Sequence, residues 1–345
     1  MRELLGPIGD WRRSGRKIAV ATLVQVWGSA PRRPGARVLV SDGTELAGSV
    51  SGGCVESAVL QEAVQVLGTG RAMTLTYGVT DEEAWAVGLT CGGAIELLVE
   101  EIPGEGQDRV WDTILDRVAS ETPFGMATVL SGPRQGARLV LSPDGGRTGS
   151  LGRPGLDDAA AAVLSRRFPA SAAWRQSLPG EEGELFFEII GPRERLVIFG
   201  GVHIAIPLVR MARELGWHTT VVDPRTAFAT RDRFPEADDL LTVWPGEALK
   251  RLGMDSATAV AVLSHDPKID LPAVQGALES PAFYVGALGS RKTHRKRVAE
   301  LEKAGVPAER IRRIHAPIGL DLGGREPQEI ALSILAQIVE IRRKI

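Results

Sequence analysis

Apolar and polar positions alternate from Lys17 to Trp27 in a stretch rich in Val and Thr. Gly35 to Ser41 repeats the pattern and Asp42-Gly43 supplies a turn, which predicts a β-hairpin. From Val55 to Leu67 the apolar residues Val55, Ala58, Val59, Ala63, Val66 and Leu67 recur at three- and four-residue spacing, which predicts an amphipathic helix stopped by Gly68. Arg71 to Tyr77 and Ala94 to Ile102 read as further strands, so residues 1–103 are expected to form an α+β domain ending near Pro103-Gly104. In the middle segment, 104–191, helical patterns at Val110 to Val118 and Leu156 to Arg167 accompany strands at Met126 to Leu130 and Ala137 to Leu141. A Pro143-Asp144-Gly145-Gly146 turn and two more short strands complete it, and no chemistry is visible there. After Pro192, apolar runs at Arg195 to Phe199, Thr219 to Val222, Ala257 to Leu263 and Ala282 to Val285 alternate with helical segments. The last of these helices, about Pro327 to Arg343, carries Ile330, Ile334, Leu335 and Ile338 on one face. The expected class is α/β: a C-terminal Rossmann-like doubly wound parallel sheet over 192–345, an N-terminal α+β domain and a variable middle segment, with no internal repeat evident.

A length of 345 residues is more than one hydrophobic core usually serves, which agrees with several units. With 41 Lys+Arg against 43 Asp+Glu the formal charge is −2, which supplies no global field for nucleic acid or an anionic membrane. No apolar run reaches the length of a spanning helix and Met1 to Arg13 lacks an export signal, so a cytoplasmic location is expected. Cys54 and Cys91 are too few for a disulfide framework or an all-cysteine zinc site.

Glycine-rich loops carry the candidate chemistry. Gly48-Ser49-Val50-Ser51-Gly52-Gly53-Cys54-Val55-Glu56 feeds directly into a helix, where free backbone amides and the positive helix end would favour an anion. Cys54 lies in the first helical turn, which favours thiolate and suits a nucleophile or soft-metal ligand; the alternative is a small buried side chain. Cys91-Gly92-Gly93 offers a second glycine-bordered thiol, with the same two readings. Arg32, in a proline-stiffened loop from Gly28 to Gly35, suits phosphate or simply marks a solvated turn. Gly200-Gly201-Val202-His203 follows a strand and opens a helix, and Asp223 stands roughly where a ribose-binding acid is expected. Val202 replaces the second glycine of the fingerprint, and its Cβ should obstruct a pyrophosphate. Arg225 could meet an added phosphate or pair with Asp223, and His203 could contact a ligand or cap the helix. His265 and Asp266 arrive at the carboxyl edge of the sheet, and Gly289-Ser290-Arg291 opens a helix whose first turns are unusually basic.

The motifs Ser29-Ala30-Pro31-Arg32, Gly48 to Glu56, Cys91-Gly92-Gly93, Val222-Asp223-Pro224-Arg225, His265-Asp266-Pro267, Tyr284 to Arg291 and Ala316-Pro317-Ile318-Gly319-Leu320-Asp321 stand in this order. Through them the chain resembles the XdhC/CoxI family of xanthine dehydrogenase accessory factors, over roughly 15–102 and 193–343. It departs from the family's Gly-Ala-Gly-His at Gly200-Gly201-Val202-His203. The resemblance implies a non-catalytic chaperone that binds molybdenum cofactor of the molybdopterin type, protects it during sulfuration and helps insert it into a xanthine/CO dehydrogenase-type molybdoenzyme. A cysteine desulfurase could be a further partner, and the chain could pair as a homodimer. Cys54 and Cys91 would meet molybdenum or sulfur, and Arg32, Arg225 and Arg291 phosphate. The Gly52-Gly53-Cys54 loop and the carboxyl edge of the Rossmann-like sheet would face a shared cleft, with Ser51, Gly92, Gly200, Gly201, His203, Asp223, His265, Asp266, Gly289, Ser290 and Asp321 as the remaining cofactor contacts. Two other readings come from the residues alone. One is an NAD(P)-dependent oxidoreductase using Gly200, Gly201 and Asp223 for the dinucleotide and His265 for proton transfer; the other is a thiol redox enzyme pairing Cys54 with Cys91.

Overall fold

A computed structural model describes residues 1–53, 55–78, 93–168, 171–179 and 183–344. The chain forms two compact units, Met1–Pro192 and Arg193–Ile345, so the N-terminal and middle segments belong to one body.

The first unit runs α1 (Leu5–Arg13), β1 (Ile18–Trp27), β2 (Arg37–Ser41), β3 (Leu46–Gly48), α2 (Glu56–Thr69), β4 (Met73–Tyr77) and β5 (Ala94–Ile102). It continues with α3 (Arg109–Ala119), β6 (Phe124–Val129), β7 (Arg138–Leu141), β8 (Arg147–Gly149), α4 (Pro154–Ser165), β9 (Ala172–Ser177) and β10 (Glu184–Ile190). The hairpin expected at β1 and β2 pairs antiparallel with Ile18 opposite Ser41. Helix α2 passes Gly68, where a side chain would meet nothing, and ends at Gly70, whose φ of 66° gives the left-handed stop.

Sheet order exposes a duplication that the sequence pattern conceals. One sheet is ordered β3-β2-β1-β5-β4 and the other β8-β7-β6-β10-β9, each preceded by a helix and each with a second helix between its third and fourth strands. Alternate residues of β1 face opposite ways: Ala19, Ala21 and Leu23 pack under α2, while Ile18 and Val20 join Phe124, Met126 and Val140 of the second sheet. On the second sheet Ala127, Leu139 and Phe187 pack under α4. The unit is therefore layered helix, sheet, sheet, helix, and burial on both faces explains why β1 reads as a nearly continuous apolar run. Two ion pairs span the buried seam reciprocally, Arg37 of β2 with Glu188 of β10 at 2.6 Å and Arg138 of β7 with Glu100 of β5. Gly48 and Gly149 occupy matching positions with φ of 84° and 81°, and in each the added Cβ would collide with the carbonyl of Arg37 or Arg138.

The second unit contains β11 (Arg195–Phe199), α5 (Ala205–Glu214), β12 (His218–Val222), β13 (Asp239–Leu241), α6 (Pro245–Leu252), β14 (Thr258–Val262), α7 (Pro267–Glu279), β15 (Tyr284–Ala287), α8 (Arg291–Lys303), α9 (Ala308–Ile311), β16 (Ile314–His315) and α10 (Pro327–Lys344). Its sheet is parallel throughout, in the order β13-β12-β11-β14-β15-β16. Leu208 and Ala212 of α5 with Ile334 and Ile338 of α10 cover one face, and Ala248 of α6, Ala273 and Ala277 of α7 and Leu301 of α8 cover the other. Among the described residues no helix is long and apolar enough to cross a membrane.

Candidate cofactor-binding site

In the first unit the glycine-rich loop closes on its own acid. The Glu56 carboxylate accepts the amides of Val50 at 3.1 Å, Ser51 at 3.0 Å and Gly53 at 3.0 Å, together with the hydroxyls of Ser49 and Ser51. Burial pushes this carboxyl up, but the hydroxyls of Ser49 and Ser51 and the Ser51 amide outweigh it and hold the pKa at about 2. The amides expected to receive a ligand's anion thus already hold an internal one. Ser51, buried with both its amide and its hydroxyl bonded to Glu56, is withdrawn from the ligand contact the sequence suggested. An acid in the first helical turn just after two serines was the overlooked signal.

Gly52 and Gly53 are exposed, and Gly52 lies against Pro31, so the Arg32 loop borders the glycine loop. Arg32 is partly exposed, 3.8 Å from Glu3. Gly93 presses on the Ser29 carbonyl, where a Cβ would not fit, which brings a third stretch of chain to the same end of the sheet. Cys54, Cys91 and Gly92, and with them the thiol pairing and the metal role, lie outside the described residues. Among the described residues no cluster of three or more His, Cys, Asp or Glu side chains could hold a metal.

In the second unit the predicted residues collect at the carboxyl edge, where the strand order reverses between β11 and β14. Gly200, with φ of 111°, passes so close to the β14 loop that a Cβ would lie 2.7 Å from the Ser264 amide. Asp223 is wholly buried and fully engaged: it accepts the Gly201 amide at 2.9 Å, the Arg225 amide at 3.0 Å, and Arg225 Nε and Nη2 at 2.8 and 2.7 Å. Burial raises its pKa, yet the Arg225 bonds leave it below the ordinary carboxylate value. Arg225 also stacks on Phe228, 3.8 Å from the ring centroid. The acid expected to receive a ribose hydroxyl therefore serves Arg225 and Gly201 instead, so the dinucleotide reading loses its ribose contact. Val202 is half-buried against the core, and His203 is exposed in the turn before α5, which no side chain caps.

His265 is exposed and held at φ of 63°, a left-handed conformation that costs a side-chain-bearing residue about 1 kcal/mol or more. Asp266 caps α7 by accepting the Lys268 amide at 2.9 Å, and Ser290 caps α8 by accepting the Thr293 amide at 3.2 Å beside Gly289. Arg291, Lys292, Arg295 and Lys296 are exposed, with no carboxylate at ion-pairing distance among the described residues. Asp321 is exposed in the loop after β16, at the same edge. Sequence reasoning missed Ser264, Asp270 and Arg297. All three are buried beneath His265, with the Ser264 hydroxyl donating to Asp270 at 2.6 Å. Burial raises the Asp270 pKa against the opposing Ser264 bond and the Arg297 charge. A larger cleft of about 660 Å³ in the first unit, lined by Arg12, Arg16, Lys17 and Glu101, contains none of the candidate residues.

Six parallel strands with the reversal between β11 and β14, and polar loops gathered at their carboxyl ends, define a Rossmann-type domain. The chain belongs to the XdhC and CoxI family: residues 11–78 match the XdhC and CoxI family model and residues 196–338 the XdhC Rossmann domain. It is 30% identical over 331 residues to the molybdenum cofactor insertion chaperone PaoD of Escherichia coli, covering 95% of this chain and 85% of that protein. It is 29% identical over 329 residues to a probable xanthine dehydrogenase subunit of Bacillus subtilis, covering 94% and 93%. A crystal structure of a protein described as a xanthine dehydrogenase from Bacillus halodurans superposes with a TM-score of 0.80 at 25% identity, over 99% of this chain and 96% of that one.

Proposed function

We propose that this protein is a non-catalytic accessory factor that binds molybdenum cofactor of the molybdopterin type, protects it during sulfuration and helps insert it into a xanthine/CO dehydrogenase-type molybdoenzyme. The observation that carries this reading is the likeness to an insertion chaperone across 95% of the chain. The residues fit the cofactor's chemistry. Arg291 and Lys292 stand in the first turn of α8, where the helix dipole disfavours cations, and a phosphate would relieve both. In this reading Arg32, Arg225 and Arg291 are the phosphate-binding candidates, with Arg225 offering the guanidinium nitrogen that Asp223 leaves free. Cys54 and Cys91 ligate molybdenum or carry sulfur, and Gly52, Gly53 and Gly92 leave room for close approach. His203, His265, Asp266, Gly289 and Asp321 line the carboxyl edge. Once bound, the cofactor would supply the redox centre that the acceptor enzyme uses. The reading includes a cytoplasmic location, a cysteine desulfurase as a second partner and self-pairing into a homodimer.

Molybdenum and pterin analysis of the protein purified under anaerobic reducing conditions tests this. The expected result is bound cofactor in the wild type and reduced retention in Cys54→Ala with an unchanged circular dichroism spectrum. Wild-type protein that takes up no pterin would overturn it.

A further inference from the structure

Between the first half of α7 and the Thr293 to Glu300 stretch of α8 a cleft of about 400 Å³ opens beside the carboxyl edge of the sheet, within the size range of small-molecule sites. Its lining includes two buried charges, Asp270 and Arg297, at 6% and 5% exposure. They are 3.6 Å apart, a loose ion pair. Asp270 receives the Ser264 hydroxyl on one oxygen, and Arg297 Nη2 donates to the Leu288 carbonyl at 2.8 Å. Arg297 Nη1 is buried without a hydrogen-bond partner, and of the seven such side-chain atoms among the described residues it alone belongs to a residue that lines this cleft.

The charge count decides what that partner is. The lining carries Arg297, Lys296 and Glu300 on α8 and Asp270 on α7, two charges of each sign, so a phosphate gains no net attraction. A neutral ring with a donor and an acceptor on one edge satisfies both buried groups at once. Pro267, Leu271 and Ala299 supply apolar walls for such a ring.

We propose that this cleft binds the 2-amino-4-oxopyrimidine edge of a pterin or guanine. A small side-chain shift that opens the loose Arg297–Asp270 pair to the cleft lets the Arg297 guanidinium donate to the ring carbonyl and the Asp270 carboxylate accept from the ring N–H and the exocyclic amine. The choice of pterin over guanine rests on the molybdenum-cofactor reading; the edge itself does not.

Fluorescence titration of the full-length protein with neopterin and with lumazine, which carries a second carbonyl in place of the amine, tests the assignment, alongside GMP and IMP as the purine pair. Saturable neopterin binding is expected, with lumazine about 10- to 100-fold weaker, the loss anticipated when a charged hydrogen bond is replaced by repulsion. Asp270→Asn should remove most of that discrimination. Ala299→Trp, which fills the cleft from its exposed rim, should weaken neopterin by at least about tenfold even if the first variant does not fold. The same pattern with GMP over IMP, and none with neopterin, upholds the edge and assigns it to a guanine nucleotide. Equal affinity within both ligand pairs, or neopterin and GMP binding undiminished in both variants, overturns the proposal. Cofactor retention separates the two claims: wild type and both variants retaining cofactor equally leaves the chaperone reading standing and removes the cleft. A wild type without pterin that still prefers GMP over IMP does the reverse.

Discussion

The two halves of the first unit share a frame and differ in what they mount on it. Arg37 and Arg138, Gly48 and Gly149, Ser49 and Ser150, and Glu56 and Asp157 each stand 101 positions apart (37 to 138, 48 to 149, 49 to 150, 56 to 157). In the second half Asp157 accepts the Leu151 amide at 2.6 Å and the Ser150 hydroxyl at 2.6 Å, a smaller version of the Glu56 arrangement. What folding requires is therefore kept in both: the buried cross-pairs, the turn glycine and the acid that ties the loop down. Where the first half has Cys54, the second has Gly155, behind Pro154 at the start of α4. The middle segment repeats the scaffold without a cysteine.

The strongest way to break this comparison is to attack the cross-pairs. Arg37→Ala and Arg138→Ala should each cost about 3–5 kcal/mol by leaving a buried carboxylate unpaired, and by similar amounts, as read from urea denaturation. A large inequality would mean that the halves are not equivalent structurally. Next in size, Glu56→Ala should destabilise by about 2–4 kcal/mol, because several buried donors lose their acceptor. Asp157→Ala, at a more exposed site with fewer donors, should cost about 1 kcal/mol. Acid sharpens the difference. The Glu56 pKa is depressed from 4.5 to about 2, so its contribution is complete above about pH 4.5 and is lost as pH falls toward 2. The stability gap between wild type and Glu56→Gln should narrow over that interval. The smallest effect is expected from Gly155→Cys added to Cys54→Ala: cofactor retention should not recover, since a thiol alone does not reproduce the first loop.

Much of the frame was legible because its strands carry long apolar runs; Arg195–Phe199 and Ala94–Ile102 were bounded to the residue. Strands of two or three residues, β3, β8, β13 and β16, escaped because they exist only by pairing with a neighbour and have no period of their own. The duplication escaped because Gly48 to Glu56 and Gly149 to Asp157 share little beyond a glycine, a serine and a terminal acid. At the candidate site, Ser290 was recognisable as a helix cap from the residues after it, whereas Asp266 reads in the sequence as a ligand contact or an Asp-Pro turn and proves to cap α7. Arg297 was hidden inside a basic run, although it sits four residues before Leu301 on the one buried stripe of α8, an odd place for a cation. The engagement of Asp223 by Arg225 was open from sequence, and only packing decided it.

The reciprocal seam sets a lower limit on what can be cut from the chain. The family segment ends at residue 78, yet Arg37 finds its counter-charge at Glu188, and Glu100 finds its own at Arg138. A fragment trimmed to that segment would expose a sheet face meant for another sheet and strand a guanidinium without its acid. Truncation of the N-terminal part short of Pro192 is therefore expected to cost it its fold, as circular dichroism of such a fragment would show.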